Sequence, residues 1–298
     1  MAGAVAVTIF GHHTEGWMRA LEPASPVWSR VPNVRSVRVL HPQRDFGRLM
    51  PDSTGGSPVL IPLLVPHIRD RPRGYVTACP SLKALAVLGD KGRFSRFVTR
   101  HGLAEACPVT YDTIEAAVFP VIAKPVGGGS GCGIALLRNM KQYELFIDTY
   151  LWKQNKYILQ EFIDQDDDYC LYMFCSRGKI VWHQAFRYPL TSDWRIRGIV
   201  TAMGEVCTIG SRQIAQIAKF MEILNYTGPC NADFKVLPDG SIRILEFNPR
   251  LGGTLMVPEG IDFLAENLRL AITHGVMEPR LSIRKNAPPA NEERLTLD

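Results

Sequence analysis

The chain has 298 residues, 46% hydrophobic and 21% charged, with a formal net charge of +5. That is an ordinary globular composition, long enough for two or three packed subdomains. No Lys/Arg run with interleaved aromatics points to nucleic acid, so the mild basic excess fits an anionic small molecule equally well.

Other function classes also fall away. The seven cysteines, Cys79, Cys107, Cys132, Cys170, Cys175, Cys207 and Cys230, are odd in number and lack a C-x-x-C pair. A disulfide framework or structural zinc is therefore not expected, and reduced thiols in a cytoplasmic protein are. Met1 to Phe10 lacks the basic region of a secretory signal. Val59 to Pro66, the most apolar later run, is proline-broken and too short to span a membrane.

In chain order, Ala4 to Phe10, Val34 to Leu40 and Val59 to Val65 read as strands of a small, reduced α/β domain. Proline- and glycine-bearing connections such as Met50 to Pro58 join them. His12 and His13 follow the first strand and read as a solvated loop, with a ligand at the carboxyl end of the strand as the alternative. Ser81 can cap a helix through Leu88, which Gly89-Asp90-Lys91 interrupts. A second amphipathic helix carries Phe94, Phe97 and Val98 and stops at Gly102. Cys107-Pro108-Val109 opens the next strand.

Phe119 to Leu137 reads as strand, glycine-rich loop and strand. Val121 to Ala123 are its buried part, Lys124 ends it, and Ile134 to Leu137 return. The loop has five glycines in seven residues, Gly127 to Gly133. Without side chains in the way, its N–H groups can wrap a phosphate, although a hairpin tip has the same composition. It is neither a Walker A loop nor a dinucleotide fingerprint. Lys141 to Tyr150 reads as a helix and Tyr157 to Phe162 as a strand leading into an acidic turn, Asp164 to Asp168. Tyr169 to Cys175 and Lys179 to Arg187 form an antiparallel pair. Ile199 to Met203 and Glu205 to Thr208 read as a short hairpin. Ser211 to Leu224 is a helix with an apolar stripe. Gly228 to Leu237 and Ser241 to Phe247 are a hairpin about Pro238-Asp239-Gly240. Ile261 to His274 is a last helix, followed by a polar tail.

The last strand of that hairpin continues as R-I-L-E-F-N-P-R-L-G-G. Alternation puts Glu246, Asn248 and Arg250 on one face and the apolar Leu245 and Phe247 on the other. A carboxylate, an amide oxygen and a guanidinium make a poor core but suit a hard divalent cation and an anion beside it. An edge strand with a solvated face is the alternative.

The order of parts resembles the ATP-grasp superfamily. It has D-K before a helix, an apolar strand ending in Lys, and a glycine-rich hairpin loop. Q-E-F-I follows, with an acid seven residues after its Glu, and then D-F-K paired with E-F-N-P-R. The pattern is most similar to that of carbamoyl-phosphate synthetase, biotin carboxylase and other carboxylate–amine ligases, and covers about Ser81 to Glu266. The resemblance implies a mixed α/β (α+β) ATP-grasp fold: a short N-terminal α/β domain (1–90), two α+β subdomains enclosing ATP (91–160 and 161–278) and a tail (279–298).

It implies roles as well. Lys91 and Lys124 would meet the α and β phosphates, with Lys124 and Arg250 the catalytic cations. Gly127, Gly128, Gly129, Ser130, Gly131 and Gly133 would form the phosphate-covering loop. Glu161 would begin the hinge, with the Phe162 and Ile163 backbone at adenine and Asp168 at the ribose. Asp233, Glu246 and Asn248 would hold Mg²⁺, or Mn²⁺ in its place. No substrate signature marks the N-terminal domain. From the residues themselves, Arg187, Arg195 and Arg197, which read equally as a solvated loop, and Gly252 and Gly253 are the candidate substrate contacts. The implied reaction is ATP-dependent joining of a small-molecule carboxylate to an amine through an acylphosphate, in a cytoplasmic protein expected to form a homodimer. A small-molecule kinase on the same fold and a non-catalytic ATP-binding module are the alternatives.

Overall fold

The computed structural model describes residues 4–45, 58–127, 132–190, 197 and 203–277. The glycines and serine at 128–131, Arg195 and the tail at 279–298 lie outside them, as does most of the strand expected at 199–203.

Three sheets organise the chain. The first is parallel, in the order β2-β1-β3, from β1 (Val5–Phe10), β2 (Val34–Leu40) and β3 (Val59–Pro62). The apolar run after Ile61 does not stay extended to Val65. Pro66 sits in the first turn of a short helix, α2 (Val65–Arg69), where its missing N–H costs nothing. The sequence also left unmarked α1 (Glu15–Leu21) and a 3₁₀ turn at Pro26–Arg30.

Two helices follow. Ser81 Oγ accepts the Ala84 N–H (3.1 Å) and starts α3 (Leu82–Leu88). Asp90 Oδ1 accepts the Arg93 N–H (2.8 Å) and starts α4 (Lys91–Arg100). Lys91 is therefore fixed at a helix N-terminus by the cap beside it.

The second sheet is antiparallel, in the order β4-β7-β5-β6. Its strands are β4 (Thr110–Tyr111), β5 (Val121–Pro125), β6 (Ala135–Leu137) and β7 (Tyr157–Glu161). The helix expected over 141–150 breaks into α5 (Met140–Ile147) and α6 (Tyr150–Gln154), because Thr149 Oγ1 accepts the Trp152 N–H and starts a new helix.

The third sheet runs β10-β9-β8-β11-β12, all antiparallel. It contains β8 (Asp167–Ser176), β9 (Lys179–Pro189), β10 (Glu205–Cys207), β11 (Gly228–Val236) and β12 (Ile242–Asn248). β8 is buried on both faces, and its alternation divides two cores. Cys170, Tyr172 and Phe174 join the core shared with the first sheet and α8 (Ile261–Met277). Leu171, Met173 and Cys175 join the core under α3, α4 and α7 (Ser211–Ile223). Each large side chain buried there contributes ~1.5–3 kcal/mol. β10 pairs with β9, Glu205 opposite Arg187, so its sheet partner is β9. Asp168, expected in a turn, lies within β8.

β12 is an edge strand, but not a regular one. Asp233 pairs with Glu246 while Phe234 pairs with Ile244, so Leu245 is an extra, bulged residue. The bulge resets the alternation. Ile244 and Phe247 both enter the core, whereas Leu245 and Glu246 both reach a cleft. The strictly alternating reading, with Leu245 opposite Glu246, is corrected accordingly. Among the described residues, no helix is long and apolar enough to cross a membrane.

Candidate active site

Between the second and third sheets lies a cleft of about 820 Å³. A second cavity of about 1220 Å³ extends from it under α4 towards Arg250, and the two share Lys91, Leu245 and Glu246 as walls.

The β11–β12 hairpin builds the acidic end. Its register sets Asp233 directly beside Glu246. Asn248 Nδ2 donates to Asp233 Oδ2 (3.1 Å) and to Glu246 Oε1 (3.4 Å), drawing the three side chains together. Cations answer this charge from three directions. Lys91 Nζ stands 3.9 Å from Glu246 Oε2. Arg197 donates through Nη2 to Asp233 Oδ1, lies 3.9 Å from Asp168 Oδ2, and covers the Tyr188 ring at 4.5 Å. Lys124 reaches in from β5, buried, with Nζ donating to Gln160 Oε1 at 2.8 Å. Burial lowers the Lys124 pKa to about 8, against the opposing pull of Glu246 and with added repulsion from Lys91.

The other end of the cleft is the segment after β7. Phe162 and Ile163 line it beside Leu245. Glu161 turns its carboxylate to the Val109 N–H (3.0 Å), tying this segment to the β4 side. Asp168 is buried and pairs with Lys235 Nζ at 2.8 Å. Its pKa is raised by burial, and the Lys235 charge opposes that rise. Lys235, itself buried, also donates to the Gln165 carbonyl (2.9 Å).

Gln160, Lys235 and Leu245 were missed among the site residues. Lys235 had a legible signal, being a lysine in an apolar strand two residues from Asp233. Gln160 stood in the quoted Q-E-F-I. Leu245 depends on the bulge, which has no sequence mark.

Two substrate candidates are placed differently from expectation. Arg187 does not line the cleft; it is exposed to solvent in part and gripped by Glu205 (2.5 Å) and Asp167 (3.4 Å). A Cβ on Gly252 would lie 1.8 Å from Tyr172 Cε1, so the missing side chain there makes room for a ring of this chain and not for a substrate. Gly253 stands against Trp17. Arg250, just past β12, donates to the Leu251 carbonyl (2.9 Å), faces the Trp17 ring at 5.9 Å and lines the larger cavity with Asn248.

Among the described residues, no group of three or more His, Cys, Asp or Glu is placed to hold a metal ion. Asp233, Glu246 and Asn248 nonetheless fit magnesium, which takes one or two carboxylates and completes its shell with phosphate and water oxygens.

A family model described as D-ala D-ala ligase C-terminus matches residues 93–258, more than half the chain. No curated protein matches the chain by sequence. Similar solved structures include the D-alanine–D-alanine ligase of Bacillus anthracis complexed with ATP, at TM-score 0.61 and 12% identity, over 93% of this chain and 98% of that one. The L-amino acid ligase of Bacillus licheniformis has TM-score 0.62 and 12% identity, over 93% and 75%. The biotin carboxylase domain of the Hydrogenobacter thermophilus 2-oxoglutarate carboxylase, with MgADP, ADP and bicarbonate, has TM-score 0.58 and 14% identity, over 93% and 70%. At these identities the likeness establishes a shared fold.

Proposed function

The chain belongs to the family described as D-ala D-ala ligase C-terminus and is an ATP-grasp ligase, an enzyme that forms C–N bonds with ADP release; from that premise we propose that it joins a small-molecule carboxylate to an amine through an acylphosphate. The observation that carries this reading is the convergence of Lys91, Lys124, Asp233 and Glu246 on one cleft from α4, β5 and the β11–β12 hairpin, with Asn248 drawing the two carboxylates together.

In this reading Lys91, Lys124 and the glycine-rich segment from Gly127 to Gly133 hold the ATP phosphates. Leu245, Phe162 and Ile163 enclose the base, and Asp168 accepts from the ribose hydroxyls. Asp233, Glu246 and Asn248 hold Mg²⁺, or Mn²⁺ in its place, which when bound offsets the phosphate charge. A carboxylate oxygen of the acid attacks the γ-phosphorus, and ADP leaves. The amine nitrogen then attacks the acyl carbon. Phosphate leaves with that carboxylate oxygen, and the nitrogen loses a proton. Arg250 lies where the larger cavity meets Asn248, and there it stabilises the negative charge that grows in both steps. Little acid–base chemistry is required; positioning and charge neutralisation carry the barrier.

The test is turnover of purified protein with magnesium-ATP against panels of acids and amines. ADP and free phosphate are expected only when an acid is present, with an amide as the third product. A kinase would instead leave the phosphate on the product. A silent ATP-binding module would show no acid-dependent ADP, and its biological activity would survive Glu246→Gln.

A further inference from the structure

Four of the chain's seven histidines gather at one place outside the nucleotide cleft. His12 and His13 follow β1, His41 follows β2, and His67 lies on α2 just after β3. The parallel sheet thus brings them to its carboxyl edge, where open α/β sheets bind ligands. The His12 and His41 rings stand 5.2 Å apart. His67 packs on Gly11, where a Cβ would meet its Nδ1 at 2.1 Å, and that nitrogen is buried with no hydrogen-bond partner among the described residues. This edge adjoins the reaction centre. His13 stacks on Trp17 at 4.4 Å, and Trp17 faces Arg250 and Gly253.

Hydrogen bonding fixes what two of the rings offer. His13 Nδ1 accepts the Thr14 N–H (2.7 Å), and His41 Nδ1 accepts the Gln43 N–H (3.2 Å). A neutral imidazole whose Nδ1 is an acceptor keeps its proton on Nε2 and offers an N–H donor. Burial, Arg250 and His12 all lower the His13 pKa, which favours the neutral ring. Burial and the neighbouring histidines lower that of His67, with Asp70 opposing. The other nearby acids are engaged: Asp45 accepts the His41 backbone N–H (2.9 Å), and Glu15 pairs with Arg19 (2.5 Å). With two Nδ1 lone pairs already used, the cluster is built to donate to an anion more than to ligate a metal.

We propose that His12, His13, His41 and His67 bind a second anionic group on the acid substrate, a carboxylate or phosphate remote from the carboxylate that reacts. This rests on the ligase reading of the neighbouring cleft and adds to it the class of substrate: a small dianionic acid. His13 and His41 donate from Nε2, and the stacked Trp17 holds His13 in place.

The test is calorimetric titration of the full chain, saturated with magnesium-ADP, with butyrate, glutarate and 4-phosphonobutyrate. Glutarate or 4-phosphonobutyrate should bind at least roughly tenfold more tightly than butyrate, and the better of the two identifies the remote group. His13→Phe and His41→Phe keep the ring packing and remove the donor. Each should erase most of that preference while magnesium-ADP affinity stays unchanged. Equal affinity for the three acids, no binding by any, or an equal loss for butyrate in the variants would overturn the proposal. These are binding measurements, so they stand or fall independently of whether acid-dependent phosphate release supports the ligase reading.

Discussion

The cleft works by holding charges that water would otherwise separate, and Lys124 shows this most directly. Its pKa lies near 8 because it is buried, so in the free protein its charge fades as pH rises through about 8. A bound phosphate favours the ammonium form. Nucleotide affinity should therefore be greatest below pH 8 and weaken above it, with proton uptake on binding between about 8 and 10.5. Calorimetry in buffers of different ionisation enthalpy reads that uptake, and Lys124→Met should abolish it. Stability runs the other way: the unfolded chain holds this proton up to its ordinary value and the folded chain does not, so Lys124 makes stability rise with pH across the same window. Removing the Arg250 guanidinium, as Arg250→Ala, should lower kcat by ~10²–10³ with nucleotide affinity retained. A loss of ADP affinity comparable to the loss of rate would instead place Arg250 on the nucleotide. Several of these residues were legible because a lysine or carboxylate in an apolar strand has few reasons to be there. Arg187 misled because an arginine beside a cleft and one gripped by Glu205 read alike in sequence.

Among the elements, β12 has the most consequence. Its bulge is what lets Ile244 and Phe247 both enter the core while Leu245 and Glu246 both reach the cleft. A strict alternation cannot satisfy all these positions together, and no residue type announces the bulge, so its effect on Leu245 was out of reach of the sequence. Leu245→Ala should weaken nucleotide binding roughly tenfold, for ~1–2 kcal/mol of lost apolar contact, with little change in unfolding midpoint. Gly252→Ala tests packing alone. Its methyl would strike the Tyr172 ring, so a loss of ~1–3 kcal/mol by denaturant titration is expected. Most long strands were legible from apolar runs and turn signals. The short helices α1, α2 and α6 were not, because five to seven residues carry too little periodicity and one cap decides where they start.

Across the whole molecule, the order of motifs made the ATP-grasp architecture readable where each motif alone was weak. The candidate nucleotide site draws on α4, β5, β7, β8 and the β11–β12 hairpin, which lie far apart in the chain, and the fixed order of their motifs carried it. The histidine edge could not be read that way. Its members come from segments after three different strands, and only the parallel sheet brings them together. The central claim is that a carboxylate of the substrate attacks ATP and later gives up its oxygen to phosphate. Turnover with an acid carrying ¹⁸O in its carboxylate, followed by mass analysis of the released phosphate, tests this directly. The account predicts one ¹⁸O atom in each phosphate, transferred from the acid. Phosphate free of the label, or a phosphorylated product with no amide, would contradict it.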